Sequence, residues 1–505
     1  MALAHALTLE AAREFASGRV PVRVLLADGV EQVDVRATAG CLVAWVGDGI
    51  GRIGRSARVG LAGRSPDPAS FCIEVDGLAD AGAETALARA LRGGLTDVST
   101  LSLSSEGPSV TLTGGGDHDA AESALSQVGF LLPKCSVAWL TETAPASPSL
   151  RLALDDLPST SGAEVGIGSP EGVLVGVSVR RAGAERPTSL GTYPGNIVVA
   201  VGARAGSLMV VDAAAVDDYV AGVVEREMPA DAPLQALMAQ AVAARSFALS
   251  RIDGDAGRPY DLESSTRAQS YTGLSGRHTP ASEATMATAG VVLAYQGSVV
   301  PCYYHSTCGG TTDLPVHVFG GAAPGLVATR SEKTVGYGDL SEDANVRRLL
   351  RERPEASCSS SPLYRWERKC SGEQLDAAFR ASGIGSNVGR AKQLEVTSRS
   401  PGGRVTGLRV MGTSGSVALD LQQVRSVLNH IPGDLPSTLF AIDVTRGAGG
   451  VVTGLHLWGG GSGHGAGMCQ FCAMALARKG TTYDTILNRY YAGSRLVTLG
   501  GEPCR

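Results

Sequence analysis

The segment DDYVAGVVEREMPADAPLQALMAQAVAARSFALSR, residues 217–251, decides the architecture of the middle of the chain. In its second half, apolar residues recur near a 3.6-residue period and alanine fills most other positions. This pattern predicts a long helix whose small side chains let it pack closely in the interior. Pro229 and Pro233 fix the backbone between Glu227 and that helix.

Short runs of β-branched residues lie on both sides of this segment. Before it come VLVGVSVRR, NIVVAVGA and SLMVVDAA, and after it come RVTGLRVMG and SVALDL, each bounded by turn residues. Near the start, residues 21–35 alternate apolar and polar side chains around Asp28-Gly29, which predicts a hairpin. With 66 Gly and 24 Pro, these runs predict a mixed α+β, β-rich fold around one central Ala-rich helix.

The order of elements between Phe71 and Thr141 is strand, helix, strand, strand, helix, strand, which predicts a ferredoxin-like βαββαβ module. The following stretch is rich in Ser, Pro, Ala and Gly and predicts a linker. The predicted organisation is an N-terminal helix with opening strands of the main domain at 1–66, the βαββαβ module at 67–142, a linker at 143–172 and the rest of the main domain at 173–505.

The charge balance excludes some partners. Among 505 residues there are 44 Lys and Arg against 49 Asp and Glu, a net charge of -5. This gives no positive field for nucleic acid or an anionic membrane. No run of about 18 apolar residues predicts a transmembrane helix. The opening residues MALAHALTLEAAREF have no basic residue before the apolar ones, so an amphipathic helix is expected and no signal peptide is visible.

Glu227 admits two interpretations. An exposed acid near a helix N-terminus is favoured by the helix dipole, which would lower its pKa. A general acid needs burial to raise the pKa. If the backbone there is extended, Glu225 shares the face of Glu227, so a catalytic pair of carboxylates stays open.

Two cysteine-containing clusters also stand out. In PCYYHSTCGGTT, Cys302, His305 and Cys308 are three residues apart, which fits either zinc ligands or a strand end with buried thiols. In GGGSGHGAGMCQFC, glycines surround His464 and precede Cys469 and Cys472. That glycine density indicates either close approach to a bound molecule or a tight turn.

From about Tyr193 to Gly493 the chain resembles the stage II sporulation protein D and amidase-enhancer (SpoIID/LytB) domain. The resemblance rests on DDYVAGVVEREMP, ALMAQAVAARSFAL, AQSYTG, YYHSTCGGTT, LPSTLF, GHGAGMCQ and YYAG, in the family's order. It implies a mixed fold with a substrate cleft, and a lytic transglycosylase that cleaves peptidoglycan glycan strands or a protein that assists a cell-wall amidase. The family's essential glutamate falls on Glu227, the implied catalytic residue.

The same resemblance implies a set of substrate-binding residues in the matching motifs: Arg245, Gln269, Tyr271, His305, Ser306, Gly309, Gly310, His464, Gly467 and Gln470. Three of them have plain structural alternatives. Arg245 also fits a buried ion pair, Gln269 a satisfied loop amide and Tyr271 a core position.

No cofactor is required by the implied reaction. Some family members bind zinc through two cysteines whose places hold Leu262 and Ala268 here, so that metal site is expected to be absent. Cys308 and Cys469 stand where the family usually has serine. They predict either a Cys308 to Cys469 disulfide or a structural zinc shared with Cys302 or Cys472.

A second disulfide is expected between Cys358 and Cys370, which bracket one short segment. The module at 71–141 resembles a SPOR domain, a fold that binds glycan strands without peptide stems. The resemblances together imply glycan strands as the partner, an amidase as a second partner, and a location outside the cytoplasmic membrane, with an export leader missing from this sequence.

Overall fold

The computed structural model describes residues 21–38, 42–46, 49–53, 56–61, 71–76, 100–103, 109–114, 136–138, 150–154, 157–159, 164–168, 174–202, 207–252, 259–265, 268–276, 278–321 and 323–499. These residues form two compact units. The first unit contains the described residues up to 227 and those of 259–282, and the second contains 228–252 and those from 283 onward. The domain predicted for 173–505 is therefore divided between both units.

A twelve-stranded sheet dominates the first unit. Its strands are β1 (Val22–Ala37), β2 (Leu42–Val46), β3 (Gly49–Ile53), β4 (Ser56–Leu61), β9 (Leu150–Leu154), β10 (Leu157–Ser159), β11 (Glu164–Gly168), β12 (Val175–Arg181), β13 (Thr188–Tyr193), β14 (Asn196–Val201), β15 (Leu208–Ala214) and β16 (Leu262–Glu263). The main path runs β10-β9-β4-β1-β15-β14-β11-β2-β3, with β12 and β16 also paired to β1 and β13 paired to β12.

The hairpin predicted for residues 21–35 is wrong. Strand β1 is one continuous strand that passes from β15 to β12, and its register shifts between Ala27 and Val30. Gly29 has a φ of +71° there. A glycine in that conformation occurs in β-bulges as well as in hairpin turns. Pairing of β1 with β12 and β15, which lie far along the chain, stabilises the continuous strand.

The segment predicted as a linker, 143–172, contains three strands of this sheet, β9, β10 and β11. LRLAL at 150–154 alternates leucine with other residues, a strand pattern within the Ser/Pro-rich composition. Composition over the whole segment concealed that local alternation.

A four-stranded antiparallel sheet holds the strands predicted for the βαββαβ module. They are β5 (Phe71–Asp76), β6 (Thr100–Leu103), β7 (Ser109–Gly114) and β8 (Ser136–Ala138), in the order β6-β7-β5-β8. The module's two predicted helices and the predicted N-terminal helix lie outside the described residues. The ferredoxin-like module and its SPOR resemblance stay predictions.

The helix Val216–Glu227 belongs to the first unit, and the chain enters the second unit at residue 228. The helix Pro280–Ala287 begins in the first unit and ends in the second, which resumes at residue 283. Within the second unit the helices are Leu234–Arg251, Pro315–Phe319, Glu332–Val335, Asp343–Glu352, Gly372–Ala381, Gly385–Val388, Leu421–Leu428, Gln470–Arg478 and Tyr483–Tyr490, with a 3-10 turn at Ala448–Gly450.

The helix Leu234–Arg251 confirms the predicted Ala-rich element. Every residue from 239 to 249 is buried, so the helix is enclosed on all sides and does not bury a single apolar stripe. Leu234, in its first turn, is 43% exposed. The alanines allow this because their side chains require little space between helix and neighbours.

The second unit contains four small sheets. Their strands are β17 (Val291–Tyr295), β18 (Ser298–Val299), β19 (Tyr304–His305), β20 (Trp366–Ser371), β21 (Ala391–Arg399), β22 (Val405–Gly412), β23 (Ser416–Asp420), β24 (Phe440–Arg446), β25 (Val452–Gly459), β26 (Met468–Cys469) and β27 (Arg495–Thr498). The sheets run β18-β17-β27, β19-β26, β20-β25-β24 and β21-β22-β23.

An apolar cluster of this unit packs Trp366, Phe379 and Phe440 between these sheets and helices. The mixed α+β class is confirmed. Across the described part of the chain, no helix combines the length and apolar character that a membrane span requires.

Candidate functional site

Glu227 is the last residue of the helix Val216–Glu227 and is partly exposed. Its Oε1 accepts a hydrogen bond of 3.1 Å from the backbone N–H of Ser270. Glu225 lies two residues earlier in the same helix and accepts from the backbone N–H of Ser275 at 3.2 Å. The backbone is helical here, so the extended geometry that would put both carboxylates on one face is absent.

A chain of buried polar groups lies near the Glu227 segment in the first unit. The Tyr219 hydroxyl donates to Oε1 of Gln269 at 3.1 Å, and both side chains are buried. The Tyr219 and Tyr271 rings pack with centroids 4.8 Å apart. The Tyr271 hydroxyl donates to Oδ2 of Asp212 at 2.7 Å.

These contacts place Gln269 and Tyr271 inside the first unit, 2% exposed each, where they support the Glu227 segment. This placement does not favour the direct contact with a glycan that the resemblance implies for these two side chains.

Burial favours the protonated, neutral forms of Asp212 and Tyr219. Burial raises the pKa of Asp212 from 3.8 to about 7. Burial, and then the charge of Glu227, raise the pKa of Tyr219 far above its usual range. Tyr219 therefore remains a hydroxyl donor near the Glu227 carboxyl at every pH at which the protein is expected to work.

In the second unit, the two glycine-containing motifs are joined by their backbones. Strands β19 and β26 pair in parallel, so that His305 lies opposite Cys469. Thr307 and Ser462 exchange backbone hydrogen bonds of 3.1 and 2.8 Å. The pairing brings together two motifs separated by about 160 positions, and with them His305, Ser306 and His464.

Two glycines make this close approach possible. A Cβ on Gly467 would lie 1.9 Å from the carbonyl oxygen of Tyr303, and a Cβ on Gly309 would lie 2.9 Å from the backbone of Gly460. Both glycines have positive φ, +69° and +73°. These two glycines therefore serve close packing between the two loops, a role outside the two alternatives that the sequence offered, approach to a bound molecule or a tight turn.

Four predicted side chains lie in or directly beside these paired loops, and one of them, Ser306, is partly exposed. Nδ1 of His305 lies 3.1 Å from the carbonyl oxygen of Ala466, and the ring is buried. The His464 ring is 5.5 Å from that of His305, and burial followed by the charge of His305 keeps the pKa of His464 well below its usual range. Gln470 is buried and lies 3.4 Å from Gln240.

An aromatic group borders these loops, and the sequence reasoning did not identify it. Tyr303 stacks on Phe319 with centroids 4.9 Å apart, and Phe319 lies 5.0 Å from the His464 ring. The Arg251 guanidinium covers Tyr303 at 5.6 Å. Tyr303 lies within the same motif as His305, whereas nothing in the sequence around Phe319 marks it.

Arg245 is fully buried in the Ala-rich helix. Its guanidinium donates to the carbonyl oxygens of Val291 and Thr285 at 3.1 and 3.2 Å. These bonds connect the helix to the neighbouring strand and helix, so the structure gives Arg245 a packing role instead of the implied substrate contact.

The cysteines differ from both expected pairings. All six described cysteines are free thiols. The Sγ atom of Cys358 lies 3.5 Å from that of Cys308, while Cys370 is buried in the apolar cluster around Trp366. The predicted Cys358 to Cys370 bond is therefore wrong. The two residues are near each other in the sequence, but their side chains are buried in different parts of the second unit.

The side chains of Cys308 and Cys469 lie next to each other, as both the predicted disulfide and the predicted shared zinc site require. No disulfide joins them. The backbone N–H of Cys308 donates to the Sγ atom of Cys469 at 3.2 Å. Hydrogen bonds from Cys358, Cys469 and Cys472 keep the pKa of Cys308 well below its usual range. Burial raises the pKa of Cys302 far above its usual range, which fits a buried thiol.

Comparison with known proteins gives two family matches. Residues 204–295 match the family described as stage II sporulation protein, and residues 325–467 match a domain of unknown function, DUF8618.

Individual relatives span more of the chain. An uncharacterized protein of Brachyspira hyodysenteriae is 29% identical over 58% of this chain and 69% of its own length. The amidase enhancer of Bacillus subtilis is 27% identical over 55% of this chain, and the match spans only 40% of that relative's length. Stage II sporulation protein D of the same organism is 24% identical over 55% of this chain and 74% of its own length.

Proposed function

This chain belongs to the stage II sporulation protein D and amidase-enhancer family, and from that premise we propose that it is a lytic transglycosylase of peptidoglycan. Its substrate is the bond between N-acetylmuramic acid and N-acetylglucosamine in the glycan strand. Glu227 is the general acid and base.

The observation that carries this proposal is the setting of Glu227. The carboxyl is neither fully exposed nor enclosed, so a ligand can reach it. The Ser270 amide fixes one oxygen, and the buried Tyr219 and Gln269 pair supports the segment from which that amide projects. A fixed, reachable carboxyl is what proton transfer to a bound sugar requires.

The reaction needs a single carboxyl. Protonated Glu227 gives its proton to the glycosidic oxygen as the bond to that oxygen breaks. The carboxylate then takes the proton of the 6-hydroxyl of the same N-acetylmuramic acid, whose oxygen attacks the anomeric carbon. The product is a 1,6-anhydro sugar and no water is consumed. Glu225 lies two residues earlier in the same helix and so does not share the face of Glu227, which supports a mechanism without a second carboxyl.

Within the second unit, the aromatic group of Tyr303, Phe319 and His464 is a candidate sugar-binding surface, because sugar rings stack on aromatic faces. If residues 67–142 form a SPOR-like module, they would hold strands without peptide stems close to the enzyme and raise the local substrate concentration. This function places the protein outside the cytoplasmic membrane, where its substrate lies.

The test uses the purified full chain and isolated peptidoglycan. Products are separated and analysed by mass spectrometry for 1,6-anhydro ends. The wild type is expected to form them and Glu227→Gln is not. Reducing ends in place of anhydro ends would show hydrolysis, and products unchanged by Glu227→Gln would reject the role of Glu227.

A second candidate is a glycan-binding activator of a cell-wall amidase. It is favoured by the likeness to the amidase enhancer. In this case the isolated protein releases no anhydro sugars, Glu227→Gln retains full effect, and stem-peptide release by an added amidase increases in its presence.

A further inference from the structure

Four cysteine side chains meet inside the second unit. The Sγ atoms of Cys308, Cys358, Cys469 and Cys472 lie within 4.8 Å of one another, and all four residues are buried. They come from three segments: the loop after β19, the turn before β20, and the start of the helix Gln470–Arg478. Four ligands of one chemical kind converge on one point.

The distances fit metal coordination. The Sγ atom of Cys308 is 3.5 Å from that of Cys358 and 3.7 Å from that of Cys472. A disulfide requires about 2.05 Å between its sulfurs. A tetrahedral site with Zn–S bonds of about 2.3 Å has edges of about 3.8 Å between sulfurs.

Backbone amides point at the sulfurs. Two N–H groups donate to the Sγ atom of Cys469, from Cys308 at 3.2 Å and from Cys472 at 3.5 Å. The N–H of Gly310 donates to the Sγ atom of Cys308 at 3.3 Å. Such donors stabilise thiolates and orient metal ligands. Cys469 and Cys472 also have the two-residue separation common in structural zinc sites.

A cation lies close to the cluster. The Arg365 guanidinium donates to the carbonyl oxygen of Gly309 at 3.0 Å and interacts electrostatically with Cys308 and Cys358. Four thiolates around one divalent ion keep a net negative charge, and this guanidinium compensates part of it.

We propose that Cys308, Cys358, Cys469 and Cys472 bind one zinc ion in a closed structural site. Four sulfur ligands select zinc or iron over magnesium or calcium. Because thiolates fill all four positions, no position remains for water or substrate, and the ion has a structural role.

The consequence is local. The ion joins the turn of Gly309 and Gly310 to the helix that begins at Gln470, and it adds the segment of Cys358 as a third anchor. It is distinct from the family's zinc site, whose two cysteine places are Leu262 and Ala268 here. The proposal does not depend on the transglycosylase activity.

The first experiment measures metal in the purified full chain by elemental mass spectrometry. One equivalent of zinc is expected. Exchange for cobalt should give the sulfur-to-metal charge-transfer bands of a four-thiolate site. Alkylation followed by peptide mass spectrometry should modify these four cysteines only after a chelator removes the metal, and removal should lower the melting temperature.

Variants supply a second, independent readout. Cys358→Ser should lower the bound zinc at least tenfold, whereas Cys370→Ser, a buried thiol outside the cluster, should retain it. Should Cys358→Ser fail to fold, the cobalt spectrum of the wild type still decides. One iron per chain, disulfides among the four, or metal-free protein with all four thiols reduced would each overturn the proposal.

Discussion

The Oε1 atom of Glu227 accepts a hydrogen bond from the backbone amide of Ser270, 43 positions later in the chain. The amide belongs to the segment that also supplies Gln269 and Tyr271, whose side chains are anchored inside the first unit. The acid is therefore oriented by a backbone group that buried side chains hold in place.

Glu227→Gln is expected to lower the rate of anhydro-end formation at least about 100-fold, because the amide can neither donate nor accept the required proton. The matched control is Glu225→Gln, which alters a carboxyl in the same helix with a similar backbone partner. Initial rates from mass spectrometry check both. Equal losses in the two variants would contradict a unique role for Glu227.

Asp212 predicts a pH dependence of stability. Its folded-state pKa of about 7 exceeds 3.8, so the folded protein holds this proton more tightly. The stabilising contribution is complete below about pH 4 and lost as the pH rises through about 7. Its full size is roughly 4 kcal/mol in the free energy of unfolding.

Denaturant unfolding at several pH values checks this prediction. Asp212→Asn, which keeps an oxygen acceptor for Tyr271, should remove that part of the pH dependence, whereas the exposed Asp231→Asn should not. If the unfolding free energies of wild type and Asp212→Asn change in parallel between pH 4 and 8, Asp212 does not titrate as stated.

Gly467→Ala should lower the free energy of unfolding by more than about 3 kcal/mol, because the new Cβ would overlap the Tyr303 carbonyl. Gly480→Ala is the control. Gly480 has a similar positive φ, +85°, but open space around it, so only the conformational cost of about 1 kcal/mol applies. Equal losses would mean that close loop packing adds nothing to the conformational cost.

Phe319→Ala should weaken binding of glycan strands between about twofold and tenfold, the value of one aromatic contact. Phe319 is 42% exposed, and Val316 in the same short helix is 45% exposed, so Val316→Ala is the matched control. Pulldown or calorimetry with glycan strands measures both. Affinity unchanged by Phe319→Ala, or lowered equally by both variants, would remove the aromatic group from glycan recognition.

The sequence by itself determined the family, the mixed class, the Ala-rich helix and the candidate acid. These depend on local patterns: a 3.6-residue period, short β-branched runs and motifs that are contiguous in the chain. Residues that act within one stretch, such as Glu227 and His305, are therefore visible without coordinates.

The tertiary structure decided what depends on distant contacts. It made residues 22–37 one strand, buried Arg245 and Tyr271, and placed the thiol of Cys358 beside that of Cys308, away from Cys370. The physical reason is that strand pairing and burial stabilise contacts between residues that are far apart in the sequence. The spacing of residues along the chain constrains only the contacts between near neighbours. Which distant residue becomes the neighbour of a cysteine or the partner of a strand is therefore determined only in the folded chain.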